Sequence, residues 1–272
     1  MIKIKCEGDN IKKVIVNTKY GDFITYQSIK NKKYPTILFL SAMGINGSFF
    51  DYYYIYKYLE KENVNIISTD ILGCGISFCP YKKERTLENI SNELKSFIYT
   101  IDFSNLYLMA HSFTSMYVMN IYNQTSVSGL IFIDPTIPES IIYNKNSIKQ
   151  SINEAYNNKK NYDGMDADVN PKLPNNLKRI AEKFYKNYSG NECEISELKE
   201  SLNTSEKMLN KRISGIKTLS FLSTMNYQIY RKMGNPYFND NKSSVTMVLN
   251  GHHFLQWIYP KFISQQISYF IK

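Results

Sequence analysis

The 272-residue chain contains no apolar run approaching the roughly 18 to 20 consecutive residues that a membrane span requires, so a spanning helix is excluded. Its first stretch, MIKIKCEGDNIKKVIVN, alternates apolar and charged residues instead of forming the apolar centre of a signal peptide, and a cytoplasmic protein is expected. Cysteine is scarce: Cys6, Cys74, Cys79 and Cys193 are scattered. The one close pair, C-G-I-S-F-C, has neither a second pair nor nearby histidines to complete a zinc site. This scatter argues against a structural metal and against a disulfide framework. Clustered charge is missing too, because the formal +9 is spread along the chain and interleaved with Glu, Asn and Tyr. That pattern implies a solvated lysine-rich surface and no nucleic-acid footprint.

What is present is an ordinary 43% of hydrophobic residues in a chain long enough for one large α/β domain. KKVIVN, DFITYQ and PTILFL read as an opening hairpin and a buried strand. Strand and helix then alternate: FDYYYIYKYLEK, VNIIST, TLENISNELKSFIYTI, NLYLMA, SMYVMNIYN and SGLIFI. Such alternation implies parallel strands joined by crossover helices. It stops after DPTIPES, where residues 139–212 read as polar helices broken by NYDGMDADVNPKLPNN, an insertion. The strands IKTLSFL and SVTMVL and the helix KFISQQISYFI follow. No internal repeat is seen.

The candidate chemistry centres on Ser112, between the strand LYLMAH and the helix SMYVMNIY. A tight strand-to-helix turn lifts a serine clear of the backbone and aims the first N–H groups of the helix at an oxyanion formed beside it. Small flanks two residues away suit such a turn, and they are Ala110 and Thr114. The simpler alternative is that Ser112 only caps the helix. A nucleophilic serine needs a base, and the chain has three histidines, His111, His252 and His253. His111 adjoins the serine on the strand, so its ring points to the other side and packs or caps a loop. His252 and His253 follow the last strand at its C-terminal end, the edge of a parallel sheet where Ser112 also lies.

A-H-S-F-T after a strand, SAMGINGSFF after an earlier one, TDILGCGIS, RTLENISNEL, GLIFIDPTIPES and H-F-L-Q-W-I-Y-P together resemble the α/β-hydrolase superfamily, in particular a little-characterised bacterial branch. The likeness covers residues 11–138 and 213–272. It implies an α/β-hydrolase fold: a mostly parallel sheet of about eight strands flanked by helices, with residues 1–138 and 213–272 as core and 139–212 as a helical cap after strand six. It also implies Ser112 as nucleophile and His253 as base, since the superfamily's histidine commonly precedes a hydrophobic pair and a proline seven residues on, here Pro260. The oxyanion donors implied are the backbone N–H groups of Met43 and Phe113, although Ser41-Ala42 stand where His-Gly is usual.

The superfamily most often places its acid after the seventh strand, where STMNYQ offers Asn226 and no carboxylate. Asp240 precedes the last strand and belongs to the opposite edge. Asp134, just past SGLIFI, is left as the candidate acid, with Glu139 the weaker one and Asp70 a loop organiser. The resemblance implies a serine hydrolase acting on a small-molecule ester or thioester of a small or medium acyl group. It calls for no cofactor, no metal, no nucleic acid and no integral membrane association. The reading from a different class is a hydrolase-like protein that binds a ligand without catalysis.

Overall fold

Strand-forming runs in this chain are rich in Ile, Leu, Val, Phe and Tyr and are bounded by Pro, Gly, Asn or Asp, the combination that suits pleated, buried segments ended by turns. The computed structural model describes residues 11–45, 47–75, 77, 84–160 and 167–272. Cys6, Cys79, the alternation before Ile11 and residues 161–166 of the insertion's polar break lie outside the described residues.

The strands are β1 (Lys12–Thr18), β2 (Gly21–Ser28), β3 (Thr36–Leu40), β4 (Asn65–Thr69), β5 (Leu106–His111), β6 (Gly129–Ile133), β7 (Thr218–Ser223) and β8 (Val245–Leu249). They form one sheet in the order β1-β2-β4-β3-β5-β6-β7-β8. The opening hairpin pairs β1 with β2 from Lys12↔Gln27 to Thr18↔Gly21, and β2 also runs antiparallel to β4. Every later pairing is parallel. β3, β4, β5, β6 and β7 are buried along their whole lengths, whereas the edge strands β1 and β8 are largely exposed. This explains why the central runs read as continuous apolar stretches with no alternation.

The helices on the two faces are α1 (Ser48–Asp51), α2 (Tyr53–Leu59), α3 (Leu87–Ile101), α4 (Thr114–Ile121) and the C-terminal α11 (Pro260–Phe270). α3 starts where Thr86 accepts a hydrogen bond from the Asn89 N–H at 3.2 Å. It buries Ile90, Leu94, Phe97 and Ile98 on one face, each such side chain contributing roughly 1.5 to 3 kcal/mol. α9 (Tyr227–Met233) and α10 (Leu255–Ile258) were not apparent as helices in the sequence, because each is only one or two turns long and shows no full apolar period.

Between β6 and β7 the chain forms α5 (Pro138–Tyr143), α6 (Lys145–Lys160), α7 (Asn175–Tyr188) and α8 (Glu192–Met208). α7 buries Leu177, Ala181 and Phe184, a helical stripe, and the Phe184 ring meets Phe50 at 5.9 Å. Three polar ties fasten this inserted segment to α2, to the loop beyond β4 and to α4. Tyr54 donates to the Lys172 carbonyl at 2.6 Å, Asn191 to the Gly73 carbonyl at 3.0 Å, and Tyr117 to Glu197 at 2.8 Å. The inserted helices therefore sit at the C-terminal edge of the sheet. Among the described residues no helix is long and apolar enough to cross a membrane.

Candidate active site

At the end of β5 the backbone turns sharply: Ser112 has φ 56°, and Phe113, at φ −60°, leads into α4. A left-handed conformation costs a residue bearing a Cβ roughly 1 to 2 kcal/mol, so the turn needs support from its surroundings. Neighbouring backbone supplies it. The Ser112 N–H donates to the Ile133 carbonyl at 3.2 Å, and its own carbonyl accepts from the N–H groups of Thr136 at 3.1 Å and Ser115 at 3.2 Å. Ala110 and Thr114 are fully buried beside the turn, and the Thr114 hydroxyl donates to the Ser41 carbonyl at 2.7 Å. A glycine could not make that bond. The helix is capped by Phe113 with no side-chain hydrogen bond, so the capping alternative for Ser112 does not describe its hydroxyl.

The Ser112 hydroxyl instead lies 2.8 Å from His253 Nε2, with Thr136 Oγ1 at 3.3 Å. The other ring nitrogen, Nδ1, is 2.7 Å from Asp134 Oδ2. An ionised carboxylate only accepts, so Nδ1 carries the proton and Nε2 presents its lone pair to the serine. Asp134 is the first residue past β6, on the strand beside that of the serine, and it too is left-handed, at φ 39°. It is fully buried. Burial pushes its carboxyl up, but hydrogen bonding and attraction from His253, the Ser223 N–H and Asn226 outweigh this and hold it below its ordinary value. The Ser223 N–H donates to Oδ1 at 2.7 Å, while the Ser223 hydroxyl and the Asn226 amide donate to Oδ2 at 2.9 Å and 2.6 Å. Tyr230 adds a longer bond at 3.3 Å.

The other candidates fall elsewhere. Glu139 faces Arg212 at 3.6 Å, away from the histidine. His252 is exposed and accepts from the Phe254 N–H at 3.1 Å. Asn226 lies 3.4 Å from His253 Nδ1, farther than the carboxylate, and acts on the imidazole through Asp134. Asp70 accepts from the Ser48 N–H at 2.7 Å and so anchors the start of α1, the loop role expected of it. His111 is fully buried with its ring 4.5 Å from that of His253. Ser223, Tyr230 and Thr136 were missed by sequence reasoning, since a search for a carboxylate passes over hydroxyls.

Met43 stands three residues beyond β3 and Phe113 immediately after the serine, and among the described residues neither N–H has a hydrogen-bond partner. Above them, the Met43 side chain packs against the cluster formed by Ala155 of α6 and Ile195 and Leu198 of α8. Glu194, at the start of α8, is pushed up to about 7 by burial, with the Gly190 N–H lowering it and Glu197 raising it further. A cavity of about 170 Å³ reaches Asp134 and His253 between Thr136, Ile137, Asn226 and Ile229. Among the described residues no cluster of three His, Cys, Asp or Glu side chains could hold a metal ion.

The strand order, the sharp turn at Ser112 and the placement of the inserted helices define the α/β-hydrolase fold, and solved structures share it along nearly their whole length. Epoxide hydrolase VrEH1 from Vigna radiata superposes with a TM-score of 0.70 at 12% identity, over 98% of this chain and 99% of that one. Smu.1393c from Streptococcus mutans gives 0.65 at 18% identity, over 96% and 97%. A loop variant of haloalkane dehalogenase DbeA from Bradyrhizobium elkanii gives 0.63 at 14% identity, over 96% of each chain. At these identities the likeness is one of fold. No family model matches the sequence, and no curated protein matches it.

Proposed function

We propose that the chain is a serine hydrolase of esters or thioesters carrying a small or medium acyl group. The observation that carries this reading is the continuous line from Asp134 Oδ2 through the imidazole to Ser112 Oγ, with bonds of 2.7 Å and 2.8 Å, ending on a serine held in a left-handed turn. Ser112 Oγ attacks the substrate carbonyl carbon while its proton passes to His253 Nε2. The N–H groups of Met43 and Phe113 donate to the oxygen as it gains charge. Asp134 keeps the ring oriented and stabilises the imidazolium. The tetrahedral adduct then collapses: the bond to the alkoxide or thiolate breaks, the leaving group takes the Nε2 proton, and an acyl-serine is left. Water, deprotonated by the same nitrogen, then attacks the acyl carbon; the bond to Ser112 Oγ breaks, Oγ takes the proton back from Nε2, and the acid leaves. Ester and thioester leaving groups need no more help than this; amides need more. No cofactor enters the scheme.

In the same reading, residues 139–212 act as a lid whose apolar side chains over Met43 form a wall against the acyl group. The test is labelling of the folded protein with a fluorophosphonate and mapping of the modified peptide. Modification at Ser112, abolished in Ser112→Ala, is expected. Folded protein that stays unlabelled would leave a non-catalytic ligand-binding protein as the better account.

A further inference from the structure

His111 and Asp51 lie behind His253 and take no part in the steps above. His111 Nε2 is 3.0 Å from the His253 carbonyl oxygen. A carbonyl only accepts, so this nitrogen bears the proton and Nδ1 is left with a lone pair. The Gln256 amide nitrogen meets that lone pair at 3.3 Å and Asp51 Oδ2 at 3.0 Å, using its two hydrogens. His111 Nδ1 and Asp51 Oδ2 are 3.8 Å apart, too far for a direct hydrogen bond, so Gln256 bridges them. Trp257 Nε1 donates to the other Asp51 oxygen at 2.6 Å. All four side chains are buried.

The members of this network come from three segments that the chemistry needs in register: α1, which follows the Met43 loop; the end of β5, which carries the serine; and residues 253–257. His253 itself stands in a stretch that is neither helix nor strand. Its ring must meet Ser112 and Asp134 at once, so the main chain at His253 needs a tertiary anchor. Simple packing does not call for such costly groups. Gln256 Oε1 is buried without a partner among the described residues, burial holds His111 well below its ordinary value, and apolar side chains of the same size would fill the space without that loss.

We propose that His111, held in its Nε2–H form by Gln256 and Asp51, is a positioning residue that fixes the His253 main chain so that the imidazole spans Ser112 and Asp134. The inference rests on the serine-hydrolase reading. It is tested on the full chain with p-nitrophenyl acetate turnover and with the low-field proton spectrum of protein carrying isotope-labelled histidine, which observes the His253 Nδ1–H bond without needing activity. In His111→Phe, kcat is expected to fall about 10- to 100-fold at unchanged KM, and the Nδ1–H signal to broaden or vanish. His111→Gln, whose amide reaches the same carbonyl, recovers most of both. Wild-type kcat and an unchanged signal in His111→Phe overturn the proposal and reduce the network to packing. Should that variant not fold, Trp257→Phe decides. It keeps the ring stacked on Phe254 at 3.9 Å and removes only the donor to Asp51; several-fold lower kcat with a weakened signal supports the role, and no change overturns it. If the wild type neither turns over ester nor reacts with fluorophosphonate, the hydrolase reading fails by itself, and the spectra alone judge whether His111 positions His253.

Discussion

The Thr114 hydroxyl and the Ser41 carbonyl, 73 residues apart in the chain, are joined by a fully buried hydrogen bond of 2.7 Å. This bond ties the first turn of α4 to the loop after β3, so the Phe113 and Met43 N–H groups are held relative to one another. Thr114→Val keeps the volume and strands the carbonyl. The expected loss is about 1 to 3 kcal/mol in urea denaturation, accompanied by slower fluorophosphonate labelling as the loop loosens. Equal stability with equal labelling would separate this bond from the oxyanion geometry.

Ser112 bears a Cβ in a left-handed turn, at φ 56°, and so carries strain. Ser112→Ala and Ser112→Gly both remove the hydroxyl, and both should lose ester hydrolysis by several orders of magnitude. Only alanine keeps a Cβ at φ 56°. Ser112→Gly should therefore be the more stable of the two, by up to about 1 kcal/mol after allowance for the extra freedom of glycine in the unfolded chain. Thermal unfolding of the pair measures this, and a more stable alanine variant would argue against strain at the turn.

Asn226 donates to the same Asp134 oxygen that His253 uses, at 2.6 Å. Asn226→Asp replaces that donor with a second carboxylate, and two carboxylates at this distance cannot both ionise easily. One proton is then held to higher pH, and the acid limb of the turnover profile should move upward. Asp134→Asn, by contrast, removes the charge altogether and should cost roughly 10³ to 10⁴ in turnover at every pH. An Asn226→Asp profile that overlays the wild type would place Asn226 outside the site's electrostatics.

Asp51 sets a dependence of stability on pH. Burial raises its carboxyl from 3.8 to about 7, against the lowering by Trp257 and Gln256. The folded state thus binds a proton that the unfolded chain releases near 3.8, so this group's contribution is fully present below that value and is lost as pH rises toward 7. Asp51→Asn cannot ionise. Its denaturation free energy should fall less steeply than the wild type's between about pH 4 and 7. Parallel curves would remove Asp51 as the source of the slope.

Ser112, His253 and Asp134, which the structure joins in one hydrogen-bonded line, stood out as candidates in the sequence for a simple reason. Each lies one to four residues past the end of a strand, and in a parallel sheet those ends share one edge wherever the strands stand in the order. Position along the chain then stands in for position in space. Asp134 needed one more step, the absence of a carboxylate from STMNYQ. The alternation of buried strands with amphipathic helices was equally legible, because burial on both faces leaves continuous apolar runs that need no knowledge of partners.

What determined the surroundings was visible only once the strands were paired. Ser223, Asn226 and Tyr230 converge on Asp134 because β7 lies beside β6, and nothing in STMNYQ marks its hydroxyl and amide as donors to a carboxylate about 90 residues earlier. Thr114 reads in the sequence only as a small flank of the turn, and its bond to Ser41 depends on the parallel pairing of β3 with β5. The bridge from Asp51 through Gln256 to His111 joins residues as far as 205 apart. Local sequence determines which segments become strands and helices, since periodicity and turn chemistry act over a few residues. The partners of a buried polar atom are decided by which segments the sheet brings within about 3 Å, and hydrogen bonding at that range leaves no periodic trace in the chain.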